Sequence, residues 1–384
     1  MRKTGCVILI LCLILSAVPV SAATTGPTVA AKSALLMDAA TGTVLLEQNA
    51  HAKLAPASVT KVMTMLLIME AIDSGAIGWN DTVTASETAA AKGGSQIYLK
   101  VGETMTVMDM LKAIAVSSAN DCACAMAEHI AGSEAAFVER MNQRARELGM
   151  QDTHFVNCTG LDDDPQAKNH LTSAYDIAIM SRELMVSHPD IKKFTTIWMD
   201  TVRNGTFGLS NTNKLVRFYK GATGLKTGFT SAAGYCLSAT AERGGMELIA
   251  VVLGAETSQD RFAACKQLLD YGFANFALVQ PRPEVEYSVP VKLGKQGAVV
   301  AIPAENAALL IDKAQLQQVN IRVTLEEQVA APVSKGQRLG VMTVTVGEQI
   351  LTEIPMVATE AVQKKSFWDI FVSVLRRICM AKEP

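Results

Sequence analysis

This 384-residue chain has no Cys-x-x-Cys spacing among its eight cysteines, and its five histidines (His51, His129, His154, His170 and His188) form no His-Glu-x-x-His or similar cluster. A zinc site and a metallopeptidase are therefore not expected, and no metal or cofactor is called for. Positive charge is not in excess either. The formal net charge is −2, which argues against nucleic acid as a partner. An uninterrupted apolar run of the roughly 20 residues that a membrane span needs is also missing. The nearest candidate, Cys6 through Val20, contains Ser16 and Pro19, follows a basic Met1-Arg2-Lys3 start and leads into the small residues Val20-Ser21-Ala22. Residues 1–22 thus read as an export signal with a cut at Ala23.

Cys6 and Cys12 leave with that signal, and six cysteines remain at Cys122, Cys124, Cys158, Cys236, Cys265 and Cys379. A core of this size needs no disulfide framework, so no essential disulfide is expected. Arg2 and Lys3 leave too, which takes the chain from −2 to −4. Within that total the tail 361–384 sets five basic residues (Lys364, Lys365, Arg376, Arg377, Lys382) against Asp369 and Glu383. The tail therefore stands at +3 and the body at −7, which points to a separate task for the tail.

What is present begins with Ser58-Val59-Thr60-Lys61. Residues three apart share a helix face, so the Lys61 amine can reach the Ser58 hydroxyl. The following Val62-Met63-Thr64-Met65-Leu66-Leu67-Ile68-Met69 is apolar nearly all round, which indicates a helix buried in a core. Lys61 should then be about half desolvated, and burial lowers an amine's pKa toward the range in which it can take a proton from serine. A Ser-x-x-Lys on an exposed helix is common and usually inert; the apolar run distinguishes this one.

The length allows two domains. Strand-like Ala34–Asp38, a turn at Ala40-Thr41-Gly42 and strand-like Thr43–Leu46 predict a hairpin. Helical patterns follow to about Ser187, one running from a Ser133 cap to a Gly149 stop. Tyr235–Thr240 and Met246–Leu253 flank Gly244-Gly245, a second hairpin. Strands at both ends with helices between predict an α+β arrangement, an antiparallel sheet carrying helical layers, over 23–280. Pro281-Arg282-Pro283 breaks the chain, and the β-rich runs Val285–Val291, Val319–Leu325, Arg338–Val346 and Gln349–Pro355 predict a small all-β domain at 284–360. Last, 361–384 holds a segment with helical periodicity. Phe367, Ile370, Phe371, Val374 and Ile378 fall on one side, opposite Asp369, Ser373, Arg376 and Arg377. It could pack on the second domain, but the pattern better suits a helix lying in a membrane interface.

Two weak motifs complete the set. Ser118-Ala119-Asn120 falls between helical patterns at Val107–Val116 and Asp121–Ile130, on a turn able to aim both side chains at a cleft. Lys226-Thr227-Gly228 lies just before the second hairpin, where glycine permits close backbone approach and Lys226 supplies a cation for a carboxylate. Ser118 follows Ser58 by 60 residues and Lys226 follows Ser118 by 108. In this order the three motifs match the Ser-x-x-Lys, Ser-x-Asn and Lys-Thr-Gly set of penicillin-binding proteins and serine β-lactamases.

With its signal, β-rich second domain and amphipathic tail, the chain resembles the exported low-molecular-mass D-alanyl-D-alanine carboxypeptidases, which trim peptidoglycan stem peptides. The resemblance implies a β-lactamase-like fold with Ser58 as acyl-forming nucleophile and Lys61 as its base, kept neutral by burial and by Lys226. It further implies that Ser118 relays the proton, that Asn120 orients Lys61 and the substrate amide, and that Lys226, Thr227 and Gly228 form the carboxylate site. The backbone N–H groups of Ser58 and Phe229 would make the oxyanion hole. It also implies covalent capture of β-lactams and attachment to the outer face of the cell membrane through residues 366–380.

Phe229 stands where some relatives carry histidine. Cys122 and Cys124 follow the second motif and read as packing residues, since no histidine flanks them to make a thiolate. Two alternatives remain: a serine β-lactamase and a non-catalytic wall-binding protein on the same fold. Against the first, Ala119 replaces the aspartate of Ser-Asp-Asn and no deacylating Glu-x-x-Leu-Asn segment lies between Asn120 and Lys226. Against the second, no motif residue is missing.

Overall fold

The computed structural model describes residues 26–163, 165–283 and 285–380. The expected signal 1–22 lies outside them. Five strands form one antiparallel sheet: β1 (Ser33–Asp38), β2 (Val44–Gln48), β3 (Ala222–Thr230), β4 (Gly234–Arg243) and β5 (Met246–Ala255), in the order β2-β1-β5-β4-β3. The β4–β5 turn falls at Gly244-Gly245, both at positive φ, as a two-residue hairpin requires.

Alternation along the central strands sorts the core into two faces. Leu35 and Met37 of β1 and Ile249, Val251 and Leu253 of β5 join one hydrophobic cluster, while Ala34, Leu36, Leu248, Ala250 and Val252 join the other. The first face is covered by α1 (Lys61–Asp73), α2 (Val107–Ser117), α3 (Asn120–Ala131), α4 (Glu134–Glu147) and α5 (Ala174–Ser187). The second is covered by α6 (Ser258–Asn275), started by a capping box between Thr257 and Asp260. The fold is thus the expected α+β sheet with helical layers. α4 follows the predicted Ser133 cap, whose hydroxyl accepts from the Ala136 N–H.

α1 is apolar all round because it is enclosed on the first face, between neighbouring helices and the sheet. It packs against α5 and α3 and buries Val62, Met63, Met65, Leu66, Ile68 and Met69. Lys61 is fully buried with them, where the sequence suggested half.

Beyond α6, a six-stranded sheet runs in the order Val319–Leu325, Arg338–Val346, Gln349–Ala358, Ala298–Pro303, Tyr287–Lys292, Val329–Ala330. Its own core includes Val289, Val299, Leu339, Met342, Ile354 and Met356. Phe276–Val279, before the Pro281-Arg282-Pro283 break, pairs with Leu309–Asp312 beyond it. Val362, past the expected end of the β region, is fully buried and bridges to Val333. A final helix, α7 (Phe367–Met380), follows. Among the described residues no helix is long and apolar enough to cross a membrane.

Candidate active site

The site lies where the edge strand β3 meets the start of α1. Residues Ala57–Thr60 form a 3₁₀ turn that leads directly into α1, so Ser58 stands one turn before Lys61. The Lys61 Nζ donates to Ser58 Oγ at 2.9 Å and to the Thr159 carbonyl at 2.8 Å. Burial lowers the Lys61 pKa to about 7, against smaller raising effects from Cys158 and Asp121. An amine near neutrality and within hydrogen-bond reach of a hydroxyl is a competent general base.

The Thr159 carbonyl is held by a tight turn. Asn157 Oδ1 accepts from the N–H groups of Thr159 and Gly160 at 3.1 and 2.7 Å. Gly160 sits at φ +81°, and a Cβ there would come 1.9 Å from the Ala57 carbonyl oxygen. Only glycine lets this turn reach the Ser58 segment. Sequence reasoning missed Thr159, although Asn157-Cys158-Thr159-Gly160 is a legible turn signal.

Ser118 caps α2 in the left-handed conformation at φ +64°, and Asn120 opens α3, so the second motif does occupy an interhelical turn. Both are buried, and Ser118 Oγ and Asn120 Oδ1 have no hydrogen-bond partner. The expected contact from Asn120 to Lys61 is not made. The Asn120 Nδ2 donates instead to the Gly93 carbonyl at 2.7 Å, and Lys61 takes its orientation from Thr159. Asp121, also missed, accepts from the Ile97 and Leu99 N–H groups and fixes the segment beside Asn120.

Lys226, Thr227, Gly228 and Phe229 lie along β3. Lys226 is buried, its Nζ donates to the Thr227 carbonyl at 2.9 Å, and burial, then Lys61, then Arg261 push its pKa well below that of a free lysine. The repulsion expected to act on Lys61 is thus felt at Lys226, while burial dominates at Lys61. Thr227 Oγ1 pairs with Thr212 Oγ1 at 2.7 Å. The Phe229 ring is half exposed and stacks on Tyr235 at 4.3 Å. Cys122 and Cys124 are buried in α3 as core residues.

The first and third motifs therefore meet where β3 lies against the Ser58 turn, with Lys61 near enough to act on Lys226, and Asp121, next to Asn120, acts on Lys61 in turn. Comparison with known proteins agrees: residues 20–257 match the family model described as D-alanyl-D-alanine carboxypeptidase, and 275–364 match the C-terminal domain of penicillin-binding protein 5. The chain belongs to the D-alanyl-D-alanine carboxypeptidase family. It is 44% identical to D-alanyl-D-alanine carboxypeptidase DacF of Bacillus subtilis, with 88% of this chain and 87% of the relative covered. Penicillin-binding protein 5 from Haemophilus influenzae superposes with a TM-score of 0.74 at 30% identity, covering 88% of this chain and 99% of that one. Penicillin-binding protein D2 from Listeria monocytogenes, in an ampicillin-bound form, matches at 34% identity and a TM-score of 0.59, over 65% of this chain and 99% of that one. The enzyme is accordingly a serine-type peptidase, a D-Ala-D-Ala carboxypeptidase.

Proposed function

We propose that this enzyme removes the terminal D-alanine from peptidoglycan stem pentapeptides through an acyl ester on Ser58. Neutral Lys61 takes the Ser58 proton, and Oγ attacks the carbonyl carbon of the penultimate D-alanine. The resulting oxyanion is received by the N–H groups of Ser58 and Phe229. Collapse breaks the peptide bond, and Ser118 relays to the departing amine the proton that Lys61 took from Ser58. Water then hydrolyses the ester, freeing the shortened peptide and Ser58.

Lys226 and Thr227 receive the terminal carboxylate, and Gly228 lets the substrate lie against β3. The arriving negative charge restores a buried ammonium that is otherwise disfavoured. Asn120, with its unpartnered Oδ1, takes the substrate amide. β-Lactams enter as substrates whose acyl ester persists, a reading supported by the ampicillin-bound Listeria relative.

The observation that carries this reading is the 2.9 Å contact between Lys61 Nζ and Ser58 Oγ, with Lys61 buried and its pKa lowered to about 7. Ser58→Ala should abolish both D-alanine release from a D-Ala-D-Ala peptide and covalent labelling by fluorescent penicillin. Retained release would refute the nucleophile, and rapid turnover of the penicillin would indicate a β-lactamase instead.

We further propose that α7 lies in the outer interface of the cell membrane, holding the exported enzyme at its surface. In support, Phe367, Trp368, Phe371, Val374 and Ile378 are all exposed, so α7 does not bury its apolar side on the second domain. Lys364, Lys365 and Arg376 add attraction to anionic lipid.

A further inference from the structure

We propose that Arg261 is a positioning residue for acyl transfer, holding and polarising the Gly228–Phe229 peptide so that the Phe229 N–H is a stronger oxyanion donor. This rests on the oxyanion role given above to Phe229. Arg261 comes from the first turn of α6, on the opposite side of the sheet from α1, and is only 8% exposed. Among the described residues it has no carboxylate partner. A buried cation without a counter-ion is costly, so its placement calls for a compensating role.

One of its donors, Nη1, goes to backbone on the active-site side of the sheet. Nη1 donates to the Gly228 carbonyl at 2.9 Å and more weakly to the Cys236 carbonyl at 3.4 Å; Nη2 reaches Ser258 Oγ at 3.4 Å, and Nε has no partner. The Gly228 carbonyl and the Phe229 N–H are opposite ends of one planar peptide. A charge-assisted bond on the oxygen draws electron density from the nitrogen, and such chains strengthen each bond by roughly 10–30%. The same guanidinium lies over the Tyr235 ring at 5.3 Å, and Tyr235 stacks on Phe229 at 4.3 Å. Arg261 thus restrains both the backbone and, through Tyr235, the side chain at residue 229. A cation tethered behind the strand strengthens the donor without entering the cleft.

The test compares full-length wild type, Arg261→Gln and Arg261→Lys by acylation rate with penicillin, KM and kcat for a D-Ala-D-Ala peptide, and the infrared carbonyl band of the acyl-enzyme ester. Loss of a whole oxyanion donor costs about 10²–10³ in kcat, so a weakened one in Arg261→Gln should cost about tenfold, with KM within about twofold. The ester band should move to higher frequency in step with the rate, and Arg261→Lys, which keeps a cationic donor, should recover part of both. An unchanged rate in Arg261→Gln, or a lost rate with an unmoved band, overturns the assignment. If the glutamine variant does not fold, a band at the wild-type frequency in Arg261→Lys overturns it, and a band displaced together with the rate supports it. A wild-type band already at the frequency of a free ester would instead remove the oxyanion hole itself.

Discussion

Gly228 and Ser58 are in backbone contact: a Cβ built on Gly228 would stand 2.6 Å from the Pro56 carbonyl oxygen and 3.1 Å from the Ser58 nitrogen. The third motif therefore needs glycine because the edge strand lies directly against the turn that carries the nucleophile. Gly228 is not at positive φ, so the constraint is space and not backbone conformation.

Gly228→Ala should consequently push β3 away from Ser58 while leaving the fold intact. Overpacking of this kind costs about 1–3 kcal/mol. The acylation rate with fluorescent penicillin should fall by roughly 10²-fold, as for loss of one oxyanion donor. A thermal melt within a few degrees of wild type, beside that loss, would locate the damage in the site.

Acylation should rise with pH through about 7, where Lys61 loses its proton, and level off above it. Below that point the rate should fall tenfold per pH unit, because only the neutral amine accepts the serine proton. Lys61→Arg should be inactive across the whole range, since a guanidinium stays protonated. Single-turnover acylation measured from pH 5 to 9 checks both statements.

The same burial should make Lys61 a source of instability. Its folded pKa of about 7 lies below the ordinary 10.5 of the unfolded chain. Between those values the unfolded state binds more protons, so this residue's contribution improves as pH rises from about 7 to 10.5 and is least favourable below 7. Lys61→Met should stabilise the inactive protein, by up to a few kcal/mol near neutral pH. Chemical denaturation of wild type and variant at pH 6 and 9 should show a larger gap at the lower pH.

Truncation after Lys365 should release the enzyme from the membrane fraction while leaving release of D-alanine from small peptides unchanged. The cut must fall there because Val362 is fully buried against the second domain, bridging Val333, and Lys364 bridges Gly294. A truncated protein that still sediments with membranes would exclude α7 as the anchor.

The legible parts of this protein were those fixed by near neighbours. Ser58 and Lys61 share a helix face at a spacing of three, and Gly244-Gly245 marks the β4–β5 turn by itself. Thr159 was not legible because its contribution is a carbonyl, which every residue carries; only its turn is written in side chains. Arg261 was hidden for another reason, since its target lies 33 residues away across a sheet. Phe276–Val279 and Leu309–Asp312 are four residues each, and they pair across a proline break that reads as a boundary. Short strands with distant partners carry too little periodicity to be recognised alone.

The placement of the cysteines gives the molecule a built-in clock for its own opening. Cys122, Cys124, Cys158 and Cys236 are sealed in the core on the helical face of the sheet, and Cys265 in the core beneath α6. A thiol reagent can reach them only when the structure breathes, so their rates of modification time the opening of each face. Equal rates on the two faces would mean that the sheet and both its layers come apart as one cooperative unit. An early Cys265 would mean that the α6 side loosens while the catalytic side stays closed.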